Sequence, residues 1–161
     1  MTKEIRIKLP KPFRRIIDNA FRFKGFKIIE AYVDEREYPI NTNSGLKKLR
    51  IFLKIQDDES VCDCYCKVVI GGGQPKHIIF EHTSSKHNKS ISDAEKQLRC
   101  TAKLLKDVHD ININYPVACR VPMDALLRTK RIPDCPFEVV YSTWSQKPIN
   151  LEGTNIPLMW V

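Results

Sequence analysis

The stretch that decides the fold runs from Ser60 to Ser84. It reads SVCDCYCKVVI over 60–70, GGGQP over 71–75 and KHIIFEHTS over 76–84. Two runs rich in β-branched and aromatic residues flank a loop of Gly and Pro, which is the pattern of a β-hairpin. With the turn centred near Gly72, the residue opposite number i is close to 144 − i, so Asp63 faces Glu81. Directly opposed side chains on an antiparallel pair have Cβ atoms about 4.5–5.5 Å apart. Two carboxylates at that separation repel and shift each other's pKa. A divalent cation between them removes the repulsion. Mg²⁺ binds through one or two carboxylates plus substrate phosphates, and it keeps waters that serve as nucleophile. Asp63 and Glu81 are therefore the candidate metal ligands and catalytic acids. The register decides the matter, because one residue of slip turns a side chain to the opposite face.

The plainer alternative keeps Asp63 as the solvent-facing residue of an alternating strand. Cys62, Cys64 and Cys66 then point inward together, and Glu81 is an ordinary strand-end acid. Cysteine in that position acts as a small, readily buried apolar residue. A zinc reading would combine Cys62 and Cys64 with His82, but the usual zinc spacings are missing. All six cysteines are expected to be free thiols, since no apolar signal segment precedes them and no CxxC pair occurs.

Working outward from the hairpin, Phe13, Ile16, Ile17, Ala20 and Phe21 recur at helical spacing after Pro12, and Gly25 ends the run. FKIIEAYVDE and LRIFLKIQ read as strands, with turn chemistry in YPINTNSG between them. Downstream, Ser92-Asp93-Ala94-Glu95 matches a capping box. Ala94, Leu98, Thr101, Leu105 and Val108 form the stripe of a long helix to about His109. VACRV reads as a short strand, MDALLRTK as a short helix and PFEVVYSTW as a last strand. The Pro-interrupted tail 144–161 ends apolar, as a core plug or a docking peptide. The expected fold is a single α+β (mixed α/β) domain over 1–161. Its mostly antiparallel or mixed sheet is flanked by the N-terminal helix and the helix near 92–109. A basic arm occupies 1–11 and the core 12–143.

The chain has 161 residues and a net charge of +8. Residues 1–54 hold 14 Lys and Arg against 6 Asp and Glu, while 55–161 hold 13 of each, so the excess lies in the N-terminal third. One-sided positive charge attracts polyanions, such as nucleic acid, an anionic membrane surface or an acidic protein partner. Arg14, Arg15, Lys24, Lys47 and Lys48 are the candidate nucleic-acid-binding residues. No run approaches the roughly 20 apolar residues of a membrane span. An intracellular location, in cytoplasm or nucleus, is expected.

The order of elements resembles the PD-(D/E)xK nuclease superfamily over about residues 12–121. The resemblance lies in the entry helix and following strand (RRIIDNAFRFKGFKII), the acid-bearing strands (DCYCKVVIGGGQPKHIIFE) and the helix carrying Gln and Leu (SDAEKQLRCTAKLL). It implies that Asp63 and Glu81 bind Mg²⁺ and that a lysine two residues after the glutamate helps to activate water. Thr83 stands at that lysine position, and Cys62 stands where a proline would precede the aspartate. Lys86 or Lys96 would then supply the cation. The leading expectation is a nucleic-acid-associated protein with a nuclease-like core and metal-dependent phosphodiester cleavage. The other class is a non-enzymatic interaction or structural accessory protein of a virus or mobile element, with a protein partner or homodimer. A shared open pocket for Asp63 and Glu81 favours the first, whereas opposite faces or burial behind other groups favours the second.

Overall fold

The computed structural model describes residues 7–10, 13, 26–41, 43–56, 58–70, 73–82, 88–119, 127–131, 138–142, 149–151, 154–156 and 159–160. The elements are β1 (Phe26–Val33), β2 (Lys47–Lys48), α1 (Leu49–Leu53), β3 (Cys64–Ile70), β4 (Lys76–His82) and α2 (Asn88–His109). They continue with β5 (Tyr115–Cys119), β6 (Leu127–Arg131), β7 (Glu138–Ser142), β8 (Ile149–Leu151), β9 (Thr154–Ile156) and β10 (Met159–Trp160). The main sheet has six strands in the order β10-β5-β4-β3-β1-β2. β1, β3 and β4 form an antiparallel meander, and α2 then carries the chain across to β5, which pairs parallel to β4. A parallel neighbour requires such a crossover, because a tight turn cannot reverse the chain twice. The architecture is a single α+β domain built on a mixed sheet.

Both faces of the central strands are covered, so β3 does not alternate between core and water. Tyr65 and Ile79 sit opposite each other and pack with Ala94, Leu98, Ala102 and Leu105 of α2. The α2 residues recur every three or four positions and present one stripe to the sheet. Phe80, one residue along, packs against Phe13 at 5.8 Å between ring centroids. Phe13 is helical and fully buried, and the remainder of the expected entry helix lies outside the described residues. In β1 the pairing shifts between Ile28 and Glu30, and the extra residue, Ile29, is exposed. A bulge leaves one residue unmatched in this way.

Several sequence expectations are corrected. LRIFLKIQ is not a strand: Leu49–Leu53 is a single helical turn. Leu49, Arg50 and Leu53 are buried, which is helical rather than alternating spacing. The Glu35 carboxylate accepts from the Arg50 and Ile51 N–H groups at 2.7 and 3.3 Å, and Lys54 ends the turn in the left-handed region. The capping box at Ser92 does not start α2, which begins at Asn88. No Gly or Pro interrupts 88–92, so the helix extends a turn beyond the local signal. Of MDALLRTK, the part over 127–130 lies in β6, which pairs antiparallel with β7, and 123–126 lie outside the described residues. A cross-strand partner overrides helix propensity there. The tail returns to the sheet, where Met159 and Trp160 pair with Val117 and Ala118 at the edge of β5.

Candidate functional site

Cys64 pairs with Phe80, Tyr65 with Ile79 and Cys66 with Ile78. Each pair obeys the 144 − i register expected from the turn. Asp63 precedes β3 by one residue, and its N–H donates to the Phe80 carbonyl at 3.1 Å. Its carboxylate reaches across the ladder and accepts from the His82 N–H at 2.8 Å. The side chains of Asp63 and Glu81 hydrogen-bond to each other, so the structure brings together the two acids singled out in the sequence. They are 4% and 7% exposed. The pair thus shares one location, as a nuclease centre requires, yet it is enclosed rather than open.

Three further residues converge on the pair. Gln97, on the flank of α2, points its amide nitrogen at both Glu81 oxygens, at 2.8 and 2.9 Å, when the amide is oriented to match donor with acceptor. Glu37 and Tyr38 interact with Asp63 through their side chains. They stand in the turn after β1, where both of their N–H groups donate to the Asp34 carbonyl. Glu37 and Tyr38 gave no local signal in the sequence, because only the packing of that turn against β3 places them here. Gln97 stood in the quoted helix motif without an assigned partner.

Electrostatically the pair is costly. Burial pushes the Asp63 carboxyl up, opposed by the His82 N–H and reinforced by the neighbouring Glu37. Burial pushes Glu81 up further, and the Asp63 charge beside it adds to the rise. Two buried acids that cannot both ionise keep a proton between them. Tyr38 is raised by burial and then by the Asp63, Glu37 and Glu81 charges. The ion pairs among the described residues are Lys47–Glu30, Arg50–Asp34 and Lys106–Asp110, and none includes Asp63 or Glu81.

The cations expected at the site are more dispersed. Lys96 is exposed on the outward side of α2, away from the buried stripe that faces the sheet. Lys86 lies outside the described residues, as do Arg14, Arg15, Lys24 and the Thr83 position. Lys47 and Lys48 are exposed at the far edge of the sheet. Lys47 is also engaged, 3.6 Å from Glu30 and 5.6 Å above the Tyr32 ring.

The cysteines divide differently from the expectation. Cys64 and Cys66 share a face with their sulfurs 3.7 Å apart, whereas Cys62 packs in the α2-side core and its N–H donates to Thr101 Oγ1 at 2.6 Å. The strand starts only at Cys64, so the alternation does not reach Cys62. Cys62, Cys64, Cys66 and Cys100 are free thiols, and burial pushes the first two well up. Among the described residues no group of three His, Cys, Asp or Glu side chains is arranged to hold a metal ion, and no helix is long and apolar enough to cross a membrane.

Comparison of the chain with protein-family models, curated proteins and solved structures yields no match.

Proposed function

We propose that this chain is a nucleic-acid-associated protein with a nuclease-like core, in which Asp63 and Glu81 hold a divalent cation. The observation that supports this most is the placement of two buried acids, in mutual contact, at one end of the β3–β4 ladder. Hard oxygen ligands suit Mg²⁺, and two protein carboxylates leave room for waters and a substrate phosphate. A cation there would supply an activated water and a counter-charge for the phosphodiester. The succession of β3, β4 and α2 along the chain supports the layout expected from the sequence.

The chain's own groups would prepare the site. The His82 N–H fixes the Asp63 carboxylate, and the Gln97 amide orients both oxygens of Glu81. A proton shared by the two acids must leave when a cation binds. Binding is therefore expected to release a proton and to strengthen with pH.

The enclosure of the pair favours, as a second reading, the non-enzymatic interaction class, and a domain that binds cation and nucleic acid without cleaving lies between the two. One experiment separates the outcomes. Labelled DNA and RNA are incubated with the parent protein, Asp63→Asn and Glu81→Gln in Mn²⁺ or Mg²⁺, alongside melting curves. Cleavage by the parent alone supports the nuclease. Metal-dependent stabilisation without cleavage supports the binding domain. Neither effect in the parent removes both, leaving an interaction protein with no metal centre.

A further inference from the structure

Residues 55–161 carry no net charge when summed along the chain, but folding sorts their charges by face. On α2, Ala94, Leu98, Thr101, Ala102 and Leu105 are buried, while Lys96, Arg99 and Lys103 are exposed. Spacings of three and four residues put the three cations on one side of the helix, spread over about 10 Å of its axis. The acids on this side lie at the ends of the row. Asp93 and Glu95 stand three and four residues before Lys96 and Arg99, while Asp107 and Asp110 follow the row, and Asp110 is already engaged by Lys106 at 2.7 Å. None of the ion pairs among the described residues takes up Lys96, Arg99 or Lys103. The row also begins beside the candidate site, since Lys96 adjoins Gln97, whose amide meets Glu81.

We infer that the outward face of α2 is a docking surface for a nucleic-acid phosphate backbone, with Lys96, Arg99 and Lys103 contacting successive phosphates. The inference rests on the proposed nucleic-acid function and deepens it by naming the surface. Charge complementarity supports this occupant: a duplex presents a dense, regular line of negative charge, and a short row of exposed cations matches it without reading sequence. Lys96 takes the role of a backbone contact here, because its side chain is exposed whereas the carboxyl pair is buried. Lys47 and Lys48, at the opposite edge of the sheet, contribute less, since Lys47 is held by Glu30 and Tyr32.

The test compares the parent chain with Lys96→Gln/Arg99→Gln/Lys103→Gln and with Lys96→Arg/Arg99→Lys/Lys103→Arg. Each is titrated against one labelled duplex DNA at several salt concentrations, and again against vesicles containing phosphatidylserine. Circular dichroism and melting check that these exposed substitutions leave the fold intact. The neutralised variant is expected to bind DNA more weakly, with a salt slope reduced by about 0.9 for each phosphate no longer neutralised, or about 2.7 in all. The charge-preserving variant should keep the parent's slope. If the parent binds DNA and the neutralised variant keeps its slope, this surface is wrong while the wider function stands. A loss of vesicle binding with unchanged DNA binding would reassign the face to an anionic membrane. If the parent does not bind DNA at all, both the surface and the nucleic-acid function fall.

Discussion

Two buried charged pairs lie side by side in this protein, and they meet the cost of burial in opposite ways. Asp34 and Arg50, 3% and 7% exposed, cancel each other. Arg50 Nε and Nη2 donate to the two Asp34 oxygens at 2.7 and 3.3 Å, and Nη1 donates to the Gln56 and Glu59 carbonyls. Asp63 and Glu81 carry like charge, and among the described residues they meet neutral donors, the His82 N–H and the Gln97 amide. The two pairs are joined, since the Asp34 N–H donates to the Asp63 carbonyl at 2.9 Å. The first pair is complete without a ligand. The second has no ion-pair partner among the described residues, and a buried pair with strongly raised carboxyls is the better candidate for function.

The largest effect should come from breaking the completed pair. Arg50→Met leaves Asp34 buried and uncompensated, and about 3–5 kcal/mol of stability should be lost in a denaturant melt. Asp34→Asn combined with Arg50→Met should recover part of that loss, because no buried charge then remains. A loss below about 1 kcal/mol for Arg50→Met would mean that this pair is surface-like and the contrast unfounded.

The incomplete pair should respond to metal. At a hundredfold excess of Mg²⁺ or Mn²⁺ over its dissociation constant, the parent should gain about 2.7 kcal/mol by mass action. Asp63→Asn and Glu81→Gln should each abolish the gain while remaining folded. Equal stabilisation of all three proteins would locate the cation elsewhere.

In chelator, the same pair should make stability depend on pH. Burial raises both carboxyls above their ordinary values of 3.8 and 4.5, so the folded chain holds more protons than the unfolded one. That contribution is fully present below the ordinary values and is lost as pH rises through the folded ones. Glu81→Gln cannot ionise at this position. It should therefore gain on the parent from pH 5 to pH 8, by up to about 1.4 kcal/mol for each pH unit over which the folded Glu81 stays protonated. Parallel pH profiles for the two proteins would show that Glu81 is not strained.

The smallest effect concerns a third acid near the same turn. Glu35 is satisfied by the N–H groups of α1, and Glu35→Ala should cost about 1 kcal/mol, as the loss of a helix cap does. It should leave the metal response unchanged. A variant that no longer responds to metal would tie the α1 end to the site.

The hairpin and its register were legible in the sequence because a Gly- and Pro-containing loop between two β-rich runs is a local pattern, and the pairing of Cys64 with Phe80 and Tyr65 with Ile79 follows the turn directly. The long helix was legible from its stripe, although its start was not, since a capping pattern is a preference and not a barrier. LRIFLKIQ was misread because a five-residue turn depends on a cap from Glu35, fifteen positions away, which no local pattern contains.

The sequence by itself determined the α+β class, the antiparallel hairpin and its register from Cys64 to Val68, because these follow from periodicity and turn geometry along neighbouring residues. Only the tertiary structure decided that both acids are buried, that Gln97, Glu37 and Tyr38 neighbour them, and that Lys96 is exposed. It also gathered Lys96, Arg99 and Lys103 into one row within a stretch of zero net charge. Burial and electrostatic neighbourhood arise where distant segments meet, and charge summed along a chain does not record which face each side chain takes.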